Sequence, residues 1–248
     1  MRYFLEFAYL GTAYHGWQRQ PNALTVQEVL EDCTGTLLGG KLEMVAAGRT
    51  DTGVHARKMV AHFDWAEPLP EAFLVRLNAF LPRDIAVRSV RPVKPDAHAR
   101  FDALSRTYRY ELLQHKDPFR IDSAHWVQRP LDIGAMNEAA AHLFEFTDFK
   151  CFSRSNTDVK TYHCEIREAR WEAEGDLWVF TITADRFLRN MVRAVVGTLL
   201  LVGKGSLKPE DVKAIIKSRN RSEAGASVPA KGLYLTELVY PQGIYTDG

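Results

Sequence analysis

The chain is poor in cysteine, in long apolar runs and in net charge. Its 248 residues include three cysteines, Cys33, Cys151 and Cys164, with no Cys-x-x-Cys pair among them. Such a set favours neither a disulfide framework nor a zinc site. No apolar run approaches the roughly 20 residues that a membrane-spanning helix needs, and Arg2 and Glu6 interrupt a signal-peptide pattern. We therefore expect reduced thiols, no membrane segment and a cytoplasmic location.

The net charge of +1 neither favours nor excludes a polyanionic partner, so the distribution of charge along the chain matters. Six basic and two acidic residues lie between Arg88 and Arg109, and four basic residues without an acid lie between Lys213 and Arg221. These two basic runs suit a nucleic acid if they gather on one face of the protein. The alternative is an ordinary solvated surface with scattered basic side chains.

Apolar periodicity predicts a mixture of strands and helices, and a hydrophobic content of 46% is sufficient for a packed core. Thr25 and Glu28 form a capping box in front of the first helix. The predicted helices lie at about 25–38, 70–82, 132–144 and 192–203, with one more from about 209. The predicted strands lie at 2–9, 44–47, 58–64, 85–90, 106–112, 161–171, 176–184 and 232–240. The pattern predicts an α+β fold with largely antiparallel sheets, divided into an N-terminal half, residues 1–103, and a C-terminal half, residues 104–248.

Alternation along two of these strands predicts the orientation of individual side chains. The strand at 58–64 places His62 on its solvent side, where it is not expected to act as a ligand. The strand at 106–112 places Tyr108 and Tyr110 on one face. Tyr108 is therefore expected to face inward.

The segment that carries chemistry is the turn Gly48-Arg49-Thr50-Asp51-Thr52-Gly53, which follows a short apolar run. Gly48 and Gly53 bracket the polar residues and allow a tight turn with positive φ. The turn presents Asp51 beside Arg49, and this combines a carboxylate kept ionised with a guanidinium that reaches a phosphate or a base. A surface turn with a local ion pair is the simpler interpretation of this segment alone.

Six sequence motifs occur in order along the chain. They are Tyr14-His15-Gly16-Trp17-Gln18-Arg19-Gln20, Gly48-Arg49-Thr50-Asp51-Thr52-Gly53-Val54-His55-Ala56, His98-Ala99-Arg100-Phe101, Arg106-Thr107-Tyr108-Arg109-Tyr110, Phe187-Leu188-Arg189-Asn190-Met191-Val192-Arg193 and Lys231-Gly232-Leu233-Tyr234-Leu235. Taken together, they resemble the motifs of the tRNA pseudouridine synthase A family. The resemblance covers essentially the whole chain, and six motifs in register are far more specific than any one of them. Leu10 and Thr52 depart from the family's usual aspartate and alanine, while Arg49 and Asp51 match it.

The resemblance implies an isomerase, free of cofactor and metal, that converts uridine to pseudouridine at positions 38, 39 and 40 in the anticodon stem-loop of tRNA. It also implies two similar α+β halves that flank a central active-site cleft, the pseudouridine synthase fold. The expected partners are tRNA and a second copy of the chain, because the family acts as a homodimer that binds tRNA across both subunits.

The family motifs assign roles to five residues. Asp51 is the catalytic carboxylate, either as a nucleophile or as the charge that stabilises an oxocarbenium-like sugar. Arg193 is assigned to hold and orient that carboxylate, and Tyr108 to stack on the uracil and bring its hydroxyl to the reacting centre. Arg49 is assigned to fill the space that a flipped uridine leaves and to bind phosphate. Leu233 is assigned to pack against the base, with a place in the core as its alternative.

Three other classes of protein remain as alternatives. Asp51-Thr52-Gly53 matches the Asp-Thr-Gly of aspartic proteases, but their shared-proton dyad needs a second such aspartate and the chain has no second Asp-Thr-Gly. A non-catalytic RNA-binding protein is the main alternative, although simple RNA binding gains nothing from a carboxylate near phosphates. A Cys-His hydrolase built from Cys151 or Cys164 with His163 lacks any sign of an activated thiol.

Overall fold

The computed structural model describes residues 1–154 and 160–246. These residues divide into two compact units, the first containing Met1–Ser105 and the chain from Leu235 onward, the second containing Arg106–Tyr234. The predicted halves, residues 1–103 and 104–248, stay a prediction, and they differ from the compact units mainly in the C-terminal segment. None of the helices in the described part of the chain has the length and apolar character needed to cross a bilayer.

The first unit is built on a largely antiparallel sheet. Its elements are β1 (Arg2–Tyr9), α1 (Val26–Leu38), β2 (Val45–Ala46), β3 (His55–Asp64), α2 (Phe73–Phe80), β4 (Ile85–Val93) and the greater part of β9 (Leu233–Val239). The strand order is β4-β1-β3-β9, and β2 pairs with β3. β1 runs antiparallel to both β3 and β4, and β2 runs antiparallel to β3.

α1 begins and ends as its capping residues predict. The Thr25 hydroxyl accepts the backbone N–H of Glu28 at 3.4 Å. Gly39 ends the helix with a φ of 76°, a conformation that glycine adopts without a steric penalty. Val26 and Leu30 lie on the buried face of the helix. The predicted helix start at Thr25 is therefore confirmed.

β3 is buried on both faces, and this overturns one prediction. The five consecutive residues from Met59 to Phe63 are all buried, which a strand with one solvent-exposed face would not show. His62 is only 6% exposed, and its Nδ1 accepts the backbone N–H of Ala99 at 3.1 Å. Its ring also contacts the His98 ring, with centroids 4.6 Å apart. The prediction that His62 faces solvent is wrong.

The second unit has its own antiparallel strands and three α-helices among the described residues. Its elements are β5 (Ser105–Leu113), β6 (His125–Trp126), α3 (Ile133–Ala141), β7 (Ile166–Glu174), β8 (Leu177–Ala184), α4 (Met191–Gly203) and α5 (Asp211–Ser218). The strand order is β5-β8-β7, with β8 antiparallel to both neighbours and β6 parallel to β5. Helices combined with mostly antiparallel strands confirm the predicted α+β class.

α4 is the central helix of the second unit's core. Eleven of its 13 residues are buried, which is typical of a helix that is covered on nearly all sides. A Cβ at Gly197 would lie 1.8 Å from the carbonyl oxygen of Ala226, so the chain after α5 approaches the helix as closely as only glycine permits. This close approach fixes the segment that precedes β9.

Candidate active site

The Asp51 turn connects β2 to β3 in the first unit. The Ala47 N–H donates to the Val60 carbonyl at 2.8 Å, and the Val54 N–H donates to the Asp51 carbonyl at 3.1 Å. Gly53 has the predicted positive φ, at 78°. These constraints define the course of the backbone on both sides of Asp51.

The side chains of the turn differ in exposure. Asp51 is half-buried, whereas the neighbouring Arg49 is exposed. The carboxylate is thus partly shielded from bulk water, and the guanidinium is accessible to a phosphate or a base. The positive φ predicted for Gly48 does not occur, so the backbone conformation requires glycine only at the far end of the turn.

The loop between β1 and α1 packs against the Asp51 turn. The Trp17 N–H donates to the Thr50 carbonyl at 3.3 Å, and the Gly53 N–H donates to the Tyr14 carbonyl at 3.3 Å. Gly16 has a φ of 84°, and a Cβ at this position would lie 2.3 Å from the Thr50 carbonyl oxygen. A side chain is excluded there both by the φ and by the contact. The loop and the turn are therefore in direct contact through their backbones.

Two buried hydrogen bonds made by side chains lie on either side of Asp51 in the chain. The Tyr9 hydroxyl and Thr50 Oγ1 are 2.8 Å apart, and His55 Nδ1 accepts the Gly11 N–H at 2.9 Å. Thr50 is 8% exposed and His55 is 1% exposed. Buried polar groups with satisfied hydrogen bonds hold their neighbours in one arrangement. Thr50 and His55 lie within the Asp51 motif, but the sequence did not indicate their supporting role, because their partners Tyr9 and Gly11 are distant in the chain.

Tyr108 lies on β5 in the second unit and is half-buried. Its ring packs edge-to-face against the Phe187 ring, with centroids 5.2 Å apart. Tyr110, two residues along the same strand, is fully buried and donates its hydroxyl to the Pro229 carbonyl at 3.0 Å. Tyr110 is thus a core residue, whereas Tyr108 keeps part of its surface accessible, as stacking on a base requires.

Arg193 lies in the first turn of α4, and Leu233 is the first residue of β9. Arg193 is half-buried, and its Nε donates to the Val228 carbonyl at 2.7 Å. The Val228 N–H donates in return to the Arg193 carbonyl at 3.2 Å. These two bonds fix the arginine against the segment that leads to β9. Leu233 is 5% exposed and packs in the core, and its contact with a base stays a prediction.

The five predicted site residues are divided between the two units. Asp51 and Arg49 belong to the first unit, and Tyr108, Arg193 and Leu233 belong to the second. The pairing of Arg193 with Asp51 and the approach of Tyr108 to the reacting centre stay predictions.

Most basic side chains in the run from Lys213 to Arg221 contact groups within the second unit. Lys213 Nζ lies 2.8 Å from a carboxylate oxygen of Glu145, and an Arg219 nitrogen lies 3.0 Å from one of Asp148. Arg221 donates to two backbone carbonyls. These charges are already engaged within the unit, which reduces their contribution to an RNA-binding surface.

The basic run from Arg88 to Arg109 is more accessible in its first part. Arg88, Lys94 and Arg100 are exposed in the first unit. Arg106 donates to a backbone carbonyl at 2.7 Å, and Arg109 forms an ion pair with a glutamate. Arg88, Lys94 and Arg100 are therefore the cations of this run that are best placed to meet phosphates.

The cysteine side chains are not arranged as nucleophiles. Cys151 and Cys164 are 0% and 1% exposed, and burial raises the pKa of each thiol to about 12. A thiol with such a pKa is almost entirely protonated near neutral pH and is a poor nucleophile. The structure therefore disfavours the hydrolase alternative.

An open groove of about 940 Å³ lies beside α1 in the first unit. The charged residues that line it are Arg19, Glu31, Asp32, Lys41 and Glu43, and none of the predicted site residues is among its lining. Its three carboxylates exceed its two cations, which disfavours phosphate binding. No group of three or more His, Cys, Asp or Glu in the described chain is placed to hold a metal ion.

Comparison with known proteins gives one consistent family. A family model described as tRNA pseudouridine synthase matches residues 7–102 and 139–241. A tRNA pseudouridine synthase A from Parabacteroides distasonis is 50% identical over 246 residues, which is 98% of each chain. One from Porphyromonas gingivalis is 53% identical over 249 residues, 98% of this chain and 99% of that one. One from Syntrophotalea carbinolica is 41% identical over 240 residues, 95% of each chain.

The matches extend over both compact units and include the Asp51 turn. An identity of 50% over nearly the full length is far above the level at which a fold alone is shared. The chain therefore belongs to the tRNA pseudouridine synthase family.

Proposed function

We propose that this isomerase converts uridine to pseudouridine at positions 38, 39 and 40 in the anticodon stem-loop of tRNA, with Asp51 as its catalytic carboxylate. Membership of the family supports the reaction and the tRNA substrate. The observation that carries the assignment of Asp51 is its turn, whose backbone is hydrogen-bonded on both sides of this half-buried residue.

The reaction needs a carboxylate and a shaped site, but no oxidant, reductant or group donor, because uridine and pseudouridine have the same atoms. The bond between uracil N1 and ribose C1′ breaks, the ring turns, and a bond between C5 and C1′ forms. C5 loses its proton and N1 gains one. Asp51 either forms a covalent bond to the substrate or stabilises the charge that develops when the first bond breaks.

The other four predicted residues supply positioning and binding. A uridine in a stem has to leave the helix before its sugar can be reached, which costs a few kcal/mol of stacking and pairing. Arg49, exposed beside Asp51, occupies the vacated space and binds phosphate. Tyr108 stacks on the uracil, and Leu233 contacts the base. Arg193 orients the Asp51 carboxylate.

The assembly is a cytoplasmic homodimer that binds one tRNA across both subunits. The monomer's net charge of +1 supports this arrangement, because the exposed cations of one subunit alone give a small basic surface. Two copies double that surface without changing the chain.

Tritium release from tRNA labelled at uracil C5 tests the proposal directly, because C5 loses its hydrogen only when the new bond forms. Asp51→Asn removes the charge and keeps the size of the side chain. We expect no release above background, with a tRNA dissociation constant within about threefold of wild type. Asp96→Asn, the same exchange at an exposed site in the same unit, serves as the control and should release tritium normally.

Mapping the modified positions completes the test. Pseudouridine at sites other than 38, 39 and 40 would contradict the substrate assignment but leave the reaction in place. Release by a clean Asp51→Asn preparation would remove Asp51 from the chemistry. A wild-type protein that binds tRNA and releases no tritium would instead support the non-catalytic RNA-binding alternative.

A further inference from the structure

Two polar residues, Gln27 and Glu31, lie on the buried face of α1. They are 9% and 8% exposed, and they are four residues apart, so their side chains are neighbours on the helix. Gln27 Nε2 donates to Glu31 Oε1 at 2.8 Å. Burying an amide and a carboxylate is costly unless their hydrogen bonds are made. We call these residues the Gln27–Glu31 pair.

The pair holds the loop that precedes α1. Gln27 Oε1 accepts the backbone N–H of Arg19 at 2.9 Å and the side-chain amide of Gln18 at 3.0 Å. Glu31 Oε2 accepts from Arg19 Nε at 3.2 Å. The backbone N–H of Gln27 also donates to the carbonyl of Trp17 at 3.1 Å. The loop from 14 to 20 is therefore tied to α1 through both side chains.

The same pair holds the chain that leads into the Asp51 turn. Glu31 Oε1 accepts the backbone N–H of Met44 at 2.8 Å, and Gln27 Nε2 donates to the Met44 carbonyl at 3.1 Å. Both backbone groups of Met44 are thus satisfied by α1 side chains. Met44 immediately precedes β2, so the strand that enters the turn starts from a fixed point.

The two segments that the pair holds, the loop from 14 to 20 and the chain from Met44, meet beside Asp51, at Thr50. The loop contacts the turn through the hydrogen bond from Trp17 to Thr50 and through the close approach of Gly16 to the Thr50 carbonyl. The strand that follows Met44 carries the turn itself. A shift of either segment relative to the other therefore displaces the Asp51 backbone. A misplacement of about 1 Å in a catalytic group costs on the order of 100-fold in rate.

We infer that Gln27 and Glu31 are positioning residues for the reaction, which set the place of Asp51 without touching the substrate. This inference rests on the proposed function. It predicts that disturbing the pair slows the chemical step while tRNA binding is kept, since the exposed cations lie elsewhere in the unit.

The first test compares Glu31→Met with Glu31→Gln. Methionine has a similar length but offers no acceptor to the N–H of Met44 or to Gln27. We expect the single-turnover rate of tritium release to fall by about 10- to 100-fold, with the tRNA dissociation constant within about threefold of wild type. Glutamine keeps one carbonyl oxygen, which can accept both bonds made by Oε1. We expect Glu31→Gln to recover most of the rate.

Glu28→Met is the matched control. Glu28 is on the same helix and also faces Arg19, at 3.6 Å, but the hydrogen bonds that hold Met44 come from Gln27 and Glu31. The same exchange there should leave the rate unchanged below the melting temperature. A Glu31→Met protein that is folded, less stable and as fast as wild type would overturn the inference, because the pair would then support only the fold.

A second variant tests the same inference if Glu31→Met does not fold. Gln27→Glu has the same shape but places two carboxyl groups in contact, where ionising the second one is unfavourable because of the first. At low pH a shared proton restores a donor to Glu31, and at high pH the two groups repel. The rate relative to wild type should therefore fall by at least about threefold from pH 6 to pH 8.5. A constant ratio would count against the positioning role.

The proposed function and this inference fail in different ways. If wild type releases no tritium, the proposed function is wrong and the positioning role falls with it. If wild type is active, Asp51→Asn is inactive and the pair variants keep the wild-type rate, only the positioning role is refuted.

Discussion

Acidification should destabilise the protein through His62, whose ring is buried in the first unit. Its Nδ1 accepts the Ala99 N–H, so this nitrogen has to be unprotonated in the folded state. Burial lowers the pKa of His62 to about 4, and the nearby Arg2 guanidinium and His98 act in the same direction. In the unfolded chain the pKa of a histidine is about 6.5.

The sign and size of the effect follow from this difference. Below pH 6.5 the unfolded chain takes up a proton at His62 while the folded protein does not, so the free energy of unfolding falls as the pH falls towards 4. At pH 5 the loss from this one residue is about 2 kcal/mol. Well above pH 6.5 both states are neutral and the residue contributes no pH dependence.

The assay is urea unfolding at pH 7 and pH 5 for wild type and His62→Asn. Asparagine offers an oxygen that can accept the Ala99 N–H but does not titrate in this range. The free energy of unfolding of wild type should fall by about 2 kcal/mol more between the two pH values than that of the variant. His15→Asn, at an exposed position, should behave as wild type. Equal losses in wild type and His62→Asn would refute the reasoning.

Three further predictions concern the reaction. Tyr108→Phe keeps the ring against Phe187 and loses at most one hydrogen bond of about 1 kcal/mol. A fall in tritium release of about 100-fold or more, with unchanged tRNA binding and melting temperature, would therefore assign the Tyr108 hydroxyl to the chemistry. We expect that fall, and near wild-type release would limit Tyr108 to stacking. tRNA affinity should fall by about 40-fold between 50 and 200 mM salt if Arg88, Lys94 and Arg100 neutralise three phosphates, whereas a flat dependence would mean that they are only solvated surface. Chelator-treated protein should keep full activity in the same assay, and lost activity that zinc or magnesium restores would contradict the metal-free reaction.

The starts of α1 and α3 were predictable from the sequence because caps act over a few residues. Thr25 accepts the Glu28 N–H at the start of α1, and Asp132 accepts the Ala135 N–H at 2.9 Å at the start of α3. Such short-range bonds depend little on the rest of the fold. The glycine at 39 that ends α1 acts in the same local way.

Side-chain orientation on the strands was less predictable, because alternation assumes that one face of a strand meets water. β3 violates that assumption, since Met59 to Phe63 are buried without a break. The burial of His62 depends on the chain near Ala99, which lies 37 residues away. A pattern read within seven residues carries no information on such a partner.

The same difference in range explains why Asp51 was found and its support was not. Arg49, Asp51 and Gly53 lie within one turn, so a local pattern contains them. Thr50 lies in the same turn, but its partner Tyr9 is 41 residues away and meets it only in the folded chain.

One local signal for that support does exist on α1. Gln27 and Glu31 share a helix face with Val26 and Leu30, where the loss of hydration of an amide and a carboxylate is unfavourable unless partners replace the water. A polar pair at this spacing on an apolar face therefore indicates side chains that form hydrogen bonds with backbone outside the helix. The interior N–H and carbonyl groups of α1 already bond to each other. The partners of the pair include such backbone on both sides of the helix, at Arg19 before it and at Met44 after it, and the second of these segments enters the Asp51 turn.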